Sequence, residues 1–260
     1  MTGDGYTFGD GDHASDRLAM VAALFDPPTR SFVERAAPRT AGTVVDLGCG
    51  PGHTTRLLRD AIVADRIVAV DASADFVERT RRRVADATAV VHDVTAAPLP
   101  GTPADVIFAR LLLAHLPDPD AVARSWWDQL APGGVLLLDE IDSITSDVAV
   151  LQEYERVVTE LVASRGACMA AGPELDRVAA DAAATDRLVV DDRFAFPVDV
   201  GAAARMFRLN LAVWGDDPAV DRHRRSGTLD RLAAGLEEVA SRPSGTITWR
   251  LRQLAVRAAT

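Results

Sequence analysis

The stretch that most constrains this chain is Val44-Val45-Asp46-Leu47-Gly48-Cys49-Gly50-Pro51-Gly52. A β-branched run over residues 43–47 ends in three alternate glycines, and over 53–63 Leu57, Leu58 and Ala61 keep helical spacing. This is strand, glycine turn, helix. Glycines there accept positive φ and remove Cβ atoms, so main-chain N–H groups at the head of the following helix can touch a polar ligand. The pattern continues with a strand at 67–70, a helix near 76–84 and strands at 89–91 and 105–109. A helix over 121–130 and a strand over 135–138, after the Pro132-Gly133-Gly134 turn, complete it. Short apolar strands alternating with amphipathic helices predict an α/β fold with a doubly wound, Rossmann-like parallel sheet.

Length bounds the organisation: 260 residues at about 150 per domain suit one domain with insertions. Residues 1–11, rich in Gly and Asp, read as a flexible arm carrying Tyr6 and Phe8. Helical spacing then runs through Leu18, Val21, Ala22 and Phe25 to a stop at Asp26-Pro27-Pro28, with a second short helix around Phe32, Val33 and Ala36. Residues 1–40 are thus expected to form an N-terminal helical arm and lid, and 41–260 the main domain. Past Asp139 helices at 148–164 and 173–183 interrupt the alternation, giving a helical insertion at about 145–185 before the last strands. A strand-like stretch at 188–200, helices at 202–214 and 229–240 and a closing strand from Thr246 to Leu251 follow.

Composition removes several chemistries. All 28 basic residues are arginine. Without lysine there is no Walker A phosphate loop, no Schiff base to pyridoxal phosphate and no kinase strand lysine. A net charge of -10 argues against nucleic acid and anionic membranes as partners. Two cysteines, Cys49 and Cys168, support neither a disulfide framework nor a Cys-based zinc site, and no N-terminal segment reads as a signal peptide, so a cytoplasmic location is expected. No apolar run approaches the ~20 residues of a membrane-spanning helix. His13, His53, His92 and His223 form no pair at ligand spacing, and Asp191-Asp192 reads as a solvated strand entrance, so no metal is expected. Trp126 and Trp127 read as rings packed on the sheet, and Arg79 with Arg81-Arg82-Arg83 as a solvated helix face.

The glycine spacing chooses among cofactors. A dinucleotide turn, G-x-G-x-x-G/A, counted from Gly48 would put bulky His53 where helix and strand must approach closely, so a nicotinamide oxidoreductase is the weakest reading. The residues instead fit D-x-G-x-G-x-G, with Asp71 ending the second strand, Asp93 following the third and Pro132-Gly133-Gly134 preceding the fifth. Over about residues 40–142 the chain resembles the class I S-adenosylmethionine-dependent methyltransferases, in their small-molecule branch. The resemblance implies that S-adenosyl-L-methionine lies along Asp46, Gly48, Cys49, Gly50 and Gly52. It further implies ribose contacts at Asp71, a cofactor contact at Ala72, adenine contacts at Asp93 and Val94, and backbone passing the cofactor at Ala109, Arg110 and Leu111. Tyr6 and Arg17 match the arms with which small-molecule members cover the cofactor. Carboxylates nearby also suit a sulfonium cation.

Methyl transfer needs collinear nucleophile, methyl carbon and sulfur, and this alignment alone removes ~7–11 kcal/mol of barrier, so a base is optional. His115, Glu140 and Asp142 fall at the carboxyl edge and are the candidate substrate-pocket residues. His115 reads either as a loop-capping residue or as a base or substrate ligand, the carboxylates as solvated loop groups or pocket groups, and no catalytic residue is assigned. The N/D-P-P-Y/F signature of nucleobase amino methylation is missing after strand four, where Ala109-Arg110-Leu111-Leu112 stands, and neither cysteine follows a proline as cytosine C5 chemistry requires. Acceptor selection is expected in residues 6–17, 148–183 and 206–214. The expected activity is methylation of O, N or C of a small molecule, with oligomeric state open. The alternatives are a catalytically silent S-adenosylmethionine-binding regulator and a protein methyltransferase.

Overall fold

In the computed structural model the described backbone runs from Asp12 to Thr260, with side chains described from Arg17 onward. The elements are α1 (Asp12–Ala36), β1 (Thr40–Leu47), α2 (His53–Ala61), β2 (Val63–Asp71), α3 (Ala74–Arg83), β3 (Thr88–Val91), β4 (Ala104–Arg110), α4 (Pro119–Trp127) and β5 (Leu130–Ser146). They continue as α5 (Ala149–Ser164), α6 (Asp176–Ala184), β6 (Leu188–Pro197), α7 (Val200–Trp214), α8 (Asp221–Arg225), α9 (Thr228–Ser241) and β7 (Ile247–Arg257). Seven strands form one sheet in the order β3-β2-β1-β4-β5-β7-β6. The strands from β1 to β5 pair in parallel, whereas β7 lies antiparallel between β5 and β6. The expected parallel sheet is therefore mixed: β7 follows a helical segment that ends at the carboxyl edge, so the chain re-enters the sheet from that edge and runs against its neighbours.

Side-chain alternation along the strands divides the core. Val45, Leu47, Ile107, Leu136, Leu138 and Leu254 face α4 and α6, where Trp126 and Val178 are buried. Val44, Val106, Phe108, Leu137 and Ala255 face α1 and α2, where Phe32, Val33, Leu57 and Leu58 are buried. Trp126 does pack on the sheet, its Nε1 donating to the Val94 carbonyl at 2.8 Å. A third cluster, built from α5, α7, α9 and the overhanging ends of β5 and β7, caps the carboxyl edge with Tyr154, Phe207, Trp214 and Trp249.

Two local expectations change. Pro27 and Pro28 lie inside α1, which continues unbroken to Ala36. Each proline removes one helical N–H, but burial of Phe25 on one side and Phe32 and Val33 on the other holds both halves on the same surface. Polar ties reinforce the passage: Thr29 Oγ1 donates to Asp139 Oδ2 at 2.6 Å, and Gln253 Nε2 donates to the Pro28 carbonyl at 3.2 Å. Asp191 and Asp192 lie inside β6 rather than at its entrance and, although solvent-accessible, both are ion-paired. Asp191 takes the fork of Arg252, Nε to Oδ1 and Nη2 to Oδ2 both at 3.0 Å, and Asp192 accepts from Arg35 at 2.7 Å.

Candidate functional site

The strand order reverses between β1 and β4, and at such a point the connections leave to opposite faces and open a crevice at the carboxyl ends. A cavity occupies it, lined by residues of α1, the glycine turn, the ends of β2, β4 and β5, and the helical cap. The glycine turn is shaped by its backbone. Gly48, Gly50 and Gly52 have φ of 62°, 52° and 86°. A Cβ on Gly48 would stand 2.7 Å from Leu112 Cδ1, so an alanine there would be both strained and crowded. Asp71 links the turn to β2: its Oδ2 accepts from Gly50 N and its Oδ1 from Ser73 N, both at 2.9 Å. Carboxylate oxygens accept more than one hydrogen bond each, so these bonds orient the group without exhausting it. Asp93 Oδ1 accepts from Thr95 N and Oγ1, which fixes that carboxylate at the end of β3.

Of the residues singled out in the sequence, Arg17, Gly48, Cys49, Gly50, Asp71, Ala72, Asp93, Val94, Arg110, Leu111, His115 and Glu140 line this one cavity. Asp46, Gly52, Ala109 and Asp142 do not. Asp46 is fully buried behind the turn, where its Oδ2 accepts from Thr54 and Thr55 hydroxyls at 2.8 and 2.6 Å, and burial pushes its carboxyl up to about 6. Gly52 packs against Thr80, Ala109 is buried in the sheet, and Asp142 is ion-paired with Arg193 at 3.2 Å. Tyr6 lies outside the described residues. Arg110 is turned away from a purely ligand role: its Nη1 donates to Asp26 Oδ1 at 2.9 Å and to Thr29 Oγ1 at 3.2 Å, tying β4 to α1.

Glu140 is neither solvated nor in a loop. It is 0% exposed on β5, and its Oε1 accepts from the backbone N–H groups of Leu112 and Leu113, both at 2.9 Å. Burial pushes its carboxyl up to about 8, the two backbone N–H donors pull it down, and neighbouring Asp139 adds to the rise. The segment it holds begins at Leu111, a non-glycine residue with φ of 52°. A left-handed leucine costs ~1–2 kcal/mol, so Glu140 acts here as a clamp that keeps a strained turn in place and presses Leu112 against Gly48. His115, on the same segment, is held near 4 by burial with Arg17 and Arg165 adding, and is therefore neutral at physiological pH.

Sequence reasoning missed the wall of the cavity that comes from afar. Phe25, Ile141, Ile144 and Trp249 line it, as do Tyr154, Met206, Phe207 and Asn210 from stretches in which acceptor selection was expected. Helix α6 and Trp214 also fell in those stretches but stand outside the lining. The available signal was the lone Asn210 and the aromatics of apolar helices, which by themselves read as core. Among the described residues no three His, Cys, Asp or Glu side chains converge as metal ligands, and no helix is long and apolar enough to cross a membrane.

A glycine turn at a helix head, set in the crevice at the topological switch between acidic strand ends, defines an α/β protein that binds a nucleoside-bearing cofactor. Residues 22–182 match the family described as "Methyltransferase domain", and the chain belongs to it, among the class I S-adenosylmethionine-dependent methyltransferases. That membership meets the expectations of a Rossmann-like fold and of S-adenosylmethionine as cofactor. The chain is similar to trans-aconitate 2-methyltransferase of Paracidovorax citrulli (strain AAC00-1), 34% identical over 117 residues, 45% of either chain. It is 32% identical over 211 residues to a protein named as an uncharacterized 37.1 kDa protein in transposon TN4556 of Streptomyces fradiae, 76% of this chain and 59% of that one. The match thus spans less than half the length of the trans-aconitate relative. Among solved structures, phosphoethanolamine N-methyltransferase 2 of Haemonchus contortus, in complex with S-adenosylhomocysteine, aligns over 94% of this chain and 58% of its own. Its TM-score is 0.53 at 16% identity, a likeness of fold.

Proposed function

We propose that this chain transfers a methyl group from S-adenosylmethionine to an O, N or C atom of a small-molecule acceptor. The observation that carries the reading is the single cavity in which the glycine turn, Asp71 and Asp93 line one half and cap residues the other. The residues present fit the donor. The missing side chain of Gly48 makes room for Leu112, and the space before Gly50 is bounded only by Leu18 Cδ1 at 3.7 Å. Asp71 and Asp93 offer carboxylates to ribose hydroxyls and the adenine amino group, and Leu18, Phe76 and Val94 supply an apolar wall for a flat ring. When bound, the cofactor supplies an electrophilic methyl on a sulfonium. The carboxylate of Asp71, on the cavity wall beside Gly50, favours positive charge there. Helix α1, tied to β4 and β5 through Asp26 and Thr29, closes over the cavity as a lid and keeps water out. Burial, Arg17 and Arg165 disfavour protonation of His115, so the reading routes no proton through it and relies on alignment of acceptor and methyl group.

A small acceptor is supported by the enclosed helical cap and by trans-aconitate relatives that act on a small molecule. The acidic balance disfavours nucleic acid and anionic membrane as partners, and two unpaired cysteines suit a cytoplasmic setting. Calorimetric titration with S-adenosylmethionine, S-adenosylhomocysteine and NAD tests the donor: the first two bind and NAD does not. Binding of NAD alone overturns the reading. A screen with labelled methyl groups then tests transfer, and cofactor binding without transfer to any acceptor favours a silent regulator.

A further inference from the structure

Away from the glycine turn the cavity changes character. Its wall there is a run of aromatic rings: Phe25 lies 5.0 Å from Trp249, Trp249 is 6.4 Å from Phe207 at 11°, and Phe207 stacks on Tyr154 at 4.1 Å and 8°. Ile141, Ile144, Met169 and Met206 complete it. Set into this apolar surface are buried polar atoms without a well-formed hydrogen bond: Asn210 Oδ1, Trp249 Nε1, Glu140 Oε2 and the Tyr154 hydroxyl, which lies beside the Asn210 and Trp214 side chains. The four residues are 7%, 3%, 0% and 1% exposed, and all four line the cavity. Buried polar groups without well-formed hydrogen bonds are few in native proteins and costly, so four around one space mark where a ligand supplies the missing bonds.

The charges restrict what that ligand is. Arg110 is committed to Asp26, and Arg17 already interacts with other groups of the chain. Glu140 lines this part of the cavity as a buried carboxyl group, Asp139 is buried outside the lining, and His115 is neutral. An acceptor with several carboxylates would bury more anions here than Arg17, the buried cation that faces Tyr154 and His115, could pair, which is strongly unfavourable. We propose that this half of the cavity binds an uncharged acceptor with a flat apolar body and a group that both donates and accepts hydrogen bonds, of the carboxamide or phenol kind. The body lies along Phe25, Phe207 and Trp249, and the polar group meets the Tyr154 hydroxyl and Asn210. The assignment rests on the methyltransferase reading for the word acceptor, but the binding it describes does not require transfer.

The test compares 2-naphthamide with 2-naphthoate, which share a shape and differ in charge, and with trans-aconitate, by calorimetry on the full chain with and without S-adenosylhomocysteine. The amide binds at least ~10-fold tighter than either anion, the equivalent of one lost charge pairing. Tyr154→Phe and Asn210→Leu each weaken the amide by about 5-fold, one hydrogen bond, while S-adenosylhomocysteine affinity, which reports a folded site, stays unchanged. Tyr154→Phe retains the ring stacked on Phe207, so it keeps the test valid if the Asn210 variant does not fold. Equal or tighter binding of an anion overturns the proposal, as does an amide affinity that Tyr154→Phe leaves unaltered. Failure of S-adenosylhomocysteine to bind alongside normal amide binding sinks the donor reading and leaves this one standing; the reverse pattern sinks this one alone.

Discussion

The buried Glu140 makes a sharp prediction about stability and pH. Its carboxyl moves from 4.5 to about 8 on folding, mainly by burial. Between those values the native state holds a proton that the unfolded chain has released, so stability falls as pH rises through the window and levels off above about 8. At ~1.36 kcal/mol per pH unit the displacement amounts to about 5 kcal/mol, of the order of a whole domain's stability. Glu140→Gln keeps an oxygen for the Leu112 and Leu113 N–H groups but cannot ionise. Asp46 and Asp139 are also raised by burial, yet both remain in the variant and cancel in the comparison to first order. Urea unfolding followed by tryptophan fluorescence at intervals from about pH 5 to 9 measures the difference between the two proteins. Relative to the variant, the natural protein loses about 4 kcal/mol across this range, with most of the loss complete by pH 8. Parallel curves would refute the placing of an ionisable group in an apolar site with one oxygen unpartnered.

Other perturbations follow from the same contacts. Asp71→Ala removes the acceptor for Gly50 N and Ser73 N as well as the proposed ribose contact, and S-adenosylhomocysteine affinity measured by calorimetry falls by the equivalent of ~1–3 kcal/mol. Gly48→Ala puts a methyl against Leu112 at a φ of 62°; the backbone strain alone costs ~1–2 kcal/mol in urea unfolding, and cofactor binding weakens with it. Arg252→Ala strands Asp191 and the Gly172 carbonyl beside a side chain that is 1% exposed. The expected loss is about 3 kcal/mol, the low end for a buried pair, because the second partner, Asp176, is largely solvated and screened.

What could be read from the sequence was what is decided locally. Alternate glycines after a β-branched run dictate a tight turn wherever the chain lies, and Asp71 and Asp93 fall at strand ends because the apolar runs before them stop there. Strand and helix positions followed from periods of two and about 3.6 for the same reason. Tertiary structure decided the rest. Whether α1 breaks at Pro27-Pro28 depended on a surface formed by β4, β5 and β7, more than a hundred residues away in the case of Asp139. The direction of β7 depended on where α9 delivers the chain. Glu140 read as a loop carboxylate because its burial is created by the overhanging strand and cap, not by its neighbours in sequence. The convergence of Tyr154, Asn210 and Trp249 joins three separate elements, each of which by its own pattern is ordinary core. Backbone conformation is fixed by adjacent residues, whereas solvent exclusion, and with it the energy of every buried polar group, belongs to the assembled fold.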